Sequence, residues 1–283
     1  MRKEKSGNLL TKRSGKTMND ITVTQLWIYP VKSMRGISVK NALVEEKGFV
    51  HDRRWMLVDR QGKFITQRKY PVLTQFQPDF VDGQLQITFL RDKSSIAIPD
   101  SEEGETVSVE LWDDTFTTTK LDSEINAWFS EKLDLECFLV HNNQSTHRKL
   151  SEKYVAGDRD LSFADGYPYL LANEASLKEL NSKLNKPVNI DRFRPNIVVS
   201  GNYPFAEDRW QKFTIGEIPF LFAKPCPRCV VIDIDQSTGA SDPEILKTLA
   251  SFRMMENKVM FGINIVALKK GGISLGEKLK LNG

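Results

Sequence analysis

From Ile21 onward, apolar and polar positions alternate in short runs broken by turns. Ile21 and Val23 alternate with threonines before Leu26-Trp27-Ile28-Tyr29, and Ile37-Ser38-Val39 and Ala42-Leu43-Val44 follow. Trp55-Met56-Leu57-Val58 runs into the turn Asp59-Arg60-Gln61-Gly62, and Phe64-Ile65 resumes the strand. Leu85-x-Ile87-x-Phe89, after Asp82-Gly83, and Val107-x-Val109-x-Leu111 keep the same two-residue period. Strands and turns at this spacing predict a barrel or sandwich rather than alternating strand–helix units. One helix interrupts them: Asp122 or Ser123 can cap it, and Ile125, Trp128, Phe129 and Leu133 share a face.

After the polar stretch Asn142–Ser151, expected to be a linker or surface loop, the pattern mixes both element types. Asn173 is placed to cap a helix carrying Leu177, Leu180 and Leu184. Asp242-Pro243-Glu244 starts another, with Ile245, Leu246, Leu249 and Phe252 on its buried side. Strands are expected at Ile197–Val199, at Val230–Ile234, and as a closing pair, Val259–Leu268 with Ile273–Leu281, across Lys269-Lys270-Gly271-Gly272. This divides the chain into a basic tail (1–19), a β-rich N-terminal domain (20–142) and a second domain (143–283). The fold class is α+β and β-rich: a barrel-like first half packed on a mixed β-barrel with peripheral helices.

Charge changes the picture at the N-terminus only. The chain has 283 residues and a formal charge of +3. Arg2, Lys3, Lys5, Lys12, Arg13 and Lys16 face Glu4 alone, so the tail holds more than the whole surplus and the remainder is slightly acidic. No basic stripe interleaved with aromatics appears, which disfavours nucleic acid. No apolar run of about 18 residues exists to span a membrane, and no secretory leader is recognisable. Three cysteines do not make a disulfide framework, which points to a reducing compartment, the cytoplasm.

The chemistry is concentrated in Lys224-Pro225-Cys226-Pro227-Arg228-Cys229, leading into Val230-Val231-Ile232-Asp233-Ile234-Asp235. A thiol beside Arg has its pKa lowered, so Cys226 or Cys229 is a candidate thiolate: nucleophile, redox centre or soft metal ligand. A dithiol of the Cys-x-x-Cys type should open a helix, whereas a strand is expected here. A zinc site lacks a second close ligand pair. Three cation clusters sit at strand edges: Lys32 with Ser33 and Arg35, Arg53-Arg54, and Arg192 with Arg194. Together they can converge on one anionic ligand such as a phosphate. Asp158–Pro168 is an acidic, turn-rich segment suited to a ligand-facing loop. No Walker loop, dinucleotide fingerprint or nucleophile elbow is present.

Six segments in register resemble the MOSC superfamily, within it the amidoxime-reducing group and the bacterial reductases of N-hydroxylated compounds. They are Leu26–Ser33, Asp52-Arg53-Arg54-Trp55, Asn173–Leu177, Phe193-Arg194-Pro195-Asn196-Ile197, Arg228-Cys229 with Asp235-x-x-Thr238-Gly239, and Phe261-Gly262. The resemblance implies a molybdenum cofactor, a pterin dithiolene with a phosphate tail, its metal held by Cys229, with Cys226 nearby and not a ligand. It implies that Lys32, Ser33, Arg53, Arg194 and Arg228 hold pterin and phosphate, and that Asp165, Gly166, Tyr167 and Asn196 line the pocket. Asn264 stands where the family has tyrosine. Oxygen removal from a small N-hydroxylated substrate at molybdenum would be the reaction, with Asp165 as proton donor. No cysteine follows Cys229, so no iron–sulfur cluster is expected in this chain. Electrons then come from a separate ferredoxin- or flavoprotein-type partner. A cofactor carrier and a persulfide-bearing sulfur-transfer protein are the alternatives the same resemblance allows.

Overall fold

The computed structural model describes residues 20–100, 103–153 and 155–282; the basic tail lies outside the described residues. Its largest sheet closes on itself. In spatial order the strands are Tyr169–Asn173, Ile197–Val199, Ile21–Ile28, Lys278–Leu281, Lys212–Ile215, Ile218–Arg228 and Lys258–Ala267, which pairs back to the first. This is a closed seven-stranded barrel, and closure leaves no edge along its circuit. The period-two pattern puts Val23, Leu26, Ile28, Leu171, Ile197, Phe213, Phe220, Ile263 and Ile265 into one core cluster inside it. Gly262 explains a fixed point of this barrel: it sits at φ 72°, and a Cβ there would lie 2.7 Å from the Leu171 carbonyl oxygen.

A second core lies under an antiparallel four-stranded sheet, in the order Trp55–Asp59, Cys137–His141, Asp114–Lys120, Glu105–Leu111. It is shared with a three-stranded meander, Phe76–Val81, Gln84–Phe89 and Ser95–Ile98, and with helix α1, Ser123–Leu133. Leu57, Phe76, Ile87, Phe129 and Leu139 fill it. Helices α2 (Glu174–Asn181) and α3 (Glu244–Ala250) pack outside the barrel, with Asn173 accepting from the Ala175 N–H as the expected cap. Ile21–Ile28 belongs to the barrel, so strands from both ends of the chain build one sheet.

Four local expectations are corrected or refined. The strand expected at Val230–Ile234 lies earlier: Ile218–Arg228, which contains Cys226 and ends at the residue before Cys229, is the strand, and Val230–Asp233 forms a 3₁₀ turn. Breaks in register between Phe222 and Lys224, and between Pro225 and Pro227, let the prolines sit within it. Second, the closing strands do not pair with each other: Gly271–Ser274 pairs with Asn41–Glu45, and Lys278–Leu281 joins Ile21–Ile28 and Lys212–Ile215. Barrel closure takes up Lys278–Leu281, while Gly271–Ser274 joins a separate three-stranded sheet with Asn41–Glu45 and Gly48–Phe49. Third, Asn142–Ser151 is a surface loop, as one of the two expectations had it, but a packed one: Asn142, Asn143, Thr146, Arg148 and Leu150 are buried while Gln144, Ser145, His147 and Lys149 are exposed. Phe64 likewise makes a single bridge to Val58 rather than a resumed strand.

A candidate anion and soft-metal cleft

Strand ends and loops from both cores meet at a cleft of about 270 Å³. Lys32, Ser33, Arg53, Asp165, Gly166, Tyr167, Arg194, Asn196, Arg228, Cys229 and Asn264, all singled out in the sequence, line it. Arg35, Arg54 and Arg192 of the three cation clusters do not: Arg35 donates to the Gln236 carbonyl, Arg54 pairs with Glu45 and Arg192 with Asp235. Ser33, Arg53 and Arg194 stand in the left-handed backbone region, at φ 66°, 50° and 53°. Each such placement costs a non-glycine residue on the order of 1 kcal/mol. Strain at three cleft residues shows that the backbone is bent to aim these side chains.

The cations are held firmly and close together. The Tyr29 ring lies between the guanidinium groups of Arg53 and Arg194, at 4.2 and 4.4 Å. Asp52, fully buried, accepts from Arg53 Nη1 and from the Tyr29 N–H. Arg194 Nη1 donates to the Met34 carbonyl at 2.7 Å. Burial lowers the Arg194 pKa to about 10, so it remains a cation at neutral pH. Lys32, also buried, donates to the Phe163 carbonyl at 2.9 Å and to Asp165 Oδ1. Burial pulls its pKa down while attraction to Asp165 opposes this. Arg228 donates from Nη2 to the Phe193 carbonyl at 2.7 Å, and its Nε is buried with no hydrogen-bond partner among the described residues. An unmet donor in a cationic cleft is the mark of an absent acceptor.

The thiols differ from one another. Cys229 is exposed on the cleft wall, Cys226 is half-buried beside it, and Cys137 is buried in the second core. Burial pushes the Cys137 thiol up to about 11, which makes it inert. Arg228 Nη1 lies 3.0 Å from Cys226 Sγ. The guanidinium expected to favour the Cys229 thiolate therefore contacts its neighbour. The backbone through the pair is extended, and three residues of strand span roughly 10 Å, beyond the Cα separation of about 7 Å that a disulfide tolerates. The two thiols are thus not set up as a redox dithiol. Among the described residues no cluster of three His, Cys, Asp or Glu side chains could hold a metal ion unaided.

Two further side chains read differently in place. Partial desolvation at the cleft mouth raises the pKa of the solvent-facing Asp165 carboxyl, but the Lys32 ammonium and the Trp112 N–H outweigh it and hold the carboxyl below the usual range. An acid that stays ionised is poorly suited to the proton-donor role expected for it. Asn196 accepts from the Leu170 N–H and donates to the Trp27 carbonyl, so its amide fastens strands while its edge lines the cleft.

Residues 20–136 match the MOSC N-terminal beta barrel domain, and residues 158–280 match the MOSC domain. The chain belongs to the MOSC family. Mitochondrial amidoxime-reducing component 1 of Mus musculus is 30% identical, over 93% of this chain and 82% of its own length. Mitochondrial amidoxime reducing component 2 of Rattus norvegicus is 32% identical, over 90% and 82%. A molybdenum cofactor sulfurase of Oryza sativa subsp. japonica is 34% identical over 90% of this chain, which spans only 34% of that relative.

The motifs that carried the MOSC resemblance divide into two kinds. Asp235 accepts from Ser237, Thr238 and Arg192, and the Phe193 and Phe261 rings stack at 3.9 Å, so these positions shape loops and core. Lys32, Arg53, Arg194, Arg228 and Cys229 instead face the cleft. Sequence reasoning missed Phe64 (read only as strand), Thr66, Gln67, Arg68 and Trp112, which also line it, as does Lys224 of the cysteine motif. Only Trp112 carried a usable signal, as a tryptophan in a tight turn between two alternating strands.

Proposed function

We propose that this MOSC protein binds the molybdenum cofactor in the cleft and reduces N-hydroxylated compounds, amidoximes and N-hydroxy bases among them. The observation that carries the reading is an exposed Cys229 thiol on the same wall system as Lys32, Arg53, Arg194 and Arg228. A pterin dithiolene with a phosphate tail needs both a soft ligand for its metal and cations for its phosphate. The chain's residues fit that group: the Arg228 Nε lacks an acceptor, and open space surrounds Gly166 where a Cβ would project.

Cys229 would ligate the metal, and Lys32, Ser33, Arg53, Arg194 and Arg228 would hold pterin and phosphate. Gly166, Tyr167, Asn196 and Asn264 shape the wall, and Asp165 keeps the Lys32 ammonium in place rather than delivering a proton. When bound, the cofactor supplies a two-electron centre, so that an amidoxime plus two electrons and two protons gives an amidine and water. A separate ferredoxin- or flavoprotein-type partner supplies the electrons, in the cytoplasm.

The sulfurase relative supports a second reading, in which the cleft carries the cofactor or transfers sulfur through Cys229 without reducing substrate. One experiment separates them. Protein from a cofactor-competent host is measured for molybdenum and oxidised-pterin fluorescence, then assayed on N-hydroxylated bases with an artificial electron donor. Metal with turnover supports the reductase, metal without turnover supports the carrier or sulfur-transfer reading, and neither overturns both. Cys229→Ala should lose metal and activity while Cys226→Ala keeps much of both; equal loss contradicts the assignment.

A further inference from the structure

The strands Glu105–Leu111 and Asp114–Lys120 pair along their length, and the two residues joining them are Trp112 and Asp113. Tight hairpin turns of this kind favour Asn, Asp or Gly, because the backbone there turns left-handed. Trp112 nevertheless stands at φ 60°, a conformation disfavoured for a bulky side chain, and its side chain is 44% exposed. Neither feature serves a core. The ring's contacts lead into the cleft instead. Nε1 donates to Asp165 Oδ1 at 3.1 Å, the Phe64 ring lies 5.0 Å away, and the Arg68 guanidinium sits 4.4 Å over the indole. All four side chains line the cleft.

We propose that Trp112 is a stacking platform that selects planar, conjugated N-oxygenated substrates, with Asp165 holding the ring over the cleft. The inference rests on the reductase reading and adds to it the substrate class. Arg68 shows what the ring can hold: a guanidinium is a planar, nitrogen-rich group with the shape of an amidine. Because Arg68 is exposed, it can leave the ring face to a ligand. An aryl ring conjugated to its N–OH group presents a flat face to the indole, and an alkyl compound does not.

The test uses the cofactor-loaded protein and two compounds with the same N–OH group, benzamidoxime and acetamidoxime, with rates expressed per bound molybdenum. Trp112→Asn removes the ring and suits the turn better than tryptophan does. It should lower the aryl-to-alkyl ratio of kcat/KM about tenfold, the worth of one good stacking contact. Trp112→Phe keeps a ring but drops the Nε1 donor, and it should retain most of the ratio. Arg68→Ala uncovers the indole and should raise it. An unchanged ratio in Trp112→Asn, at full molybdenum content, overturns the proposal. If the wild type holds molybdenum yet reduces neither compound, the reductase reading falls by itself. Calorimetric titration with benzamidoxime then decides the platform: binding about tenfold weaker in Trp112→Asn sustains it, and equal affinity overturns it.

Discussion

The cleft of about 270 Å³ presents Lys32, Arg53, Arg68, Arg194, Lys224 and Arg228 against Asp165 alone. A larger hollow, of about 420 Å³, sets Lys47, Arg54 and Lys270 against Glu45, Glu46, Asp100 and Asp160. In the larger one the charges are matched within the chain. Arg54 pairs with Glu45 at 3.0 Å, Asp160 meets Lys149 and His147, and Lys47 donates to the Asn142 side chain and the Thr146 carbonyl. In the cleft, Arg53 is held by Asp52 behind the wall and Lys32 by Asp165; gathering the other cations beside them costs folding stability, and an anionic ligand offsets that cost only where it binds.

The sharpest way to break this comparison is to remove one cation from each hollow. Arg194→Met should cut retained molybdenum cofactor by roughly one to three orders of magnitude in affinity, since truncating a buried charged contact costs about 2–5 kcal/mol. Lys270→Met, on the rim of the larger hollow, should leave metal content as it is. Molybdenum per protein after gel filtration reads both, and equal loss would abolish the distinction.

That contrast in charge was legible before the fold was known, because Lys32, Arg53, Arg194 and Arg228 each stand beside a Pro, Ser or Asp at a strand edge. The alternating runs from Ile21 to Leu111 were legible for the same reason: one buried face writes a period of two. The strand through Pro225 and Pro227 was not, because proline ordinarily argues against a central strand and the bulges that accommodate it leave no local trace. Nor were the partners of Ile273 and Leu279, since both pair with strands near the other end of the chain, Leu279 in the barrel and Ile273 in a separate small sheet. Arg68 escaped because its place over the Trp112 indole, which itself meets Asp165 from a distant segment, is a juxtaposition that no local pattern encodes.

A smaller effect should separate the same hollows by stability. Asp165→Asn leaves Lys32, only 7% exposed, as a buried ammonium without its counter-ion. The carboxylate itself faces the open cleft, so screening reduces the loss to about 1–2 kcal/mol. Glu45→Gln leaves Arg54, a guanidinium less deeply buried than the Lys32 ammonium, and should cost less than about 0.5–1 kcal/mol. Urea unfolding of the two variants at neutral pH measures both, and a larger loss in Glu45→Gln would reverse the ranking.

The smallest effect is in pH, and its sign differs between the hollows. In the larger one, burial lowers the His51 pKa from its ordinary 6.5; Asp100 and Glu45 pull it back up, while Arg54 and His141 reinforce the fall. The unfolded chain therefore takes up this proton first on acidification, and stability is lost as pH falls from about 6.5 toward the lower folded value. In the cleft, the Asp165 pKa lies below its ordinary 3.8, so the support it gives Lys32 persists at neutral and mildly acid pH and is lost only below the usual carboxylate range. Between pH 7.5 and 5 the His51 contribution should thus fall by less than about 1 kcal/mol while the Lys32–Asp165 contribution holds. Urea unfolding at the two pH values should show a shallower loss in His51→Gln than in the wild type, and a slope unchanged from wild type in Asp165→Asn. A flattened slope in Asp165→Asn instead would mean that the cleft, and not the larger hollow, is the acid-sensitive part of the molecule.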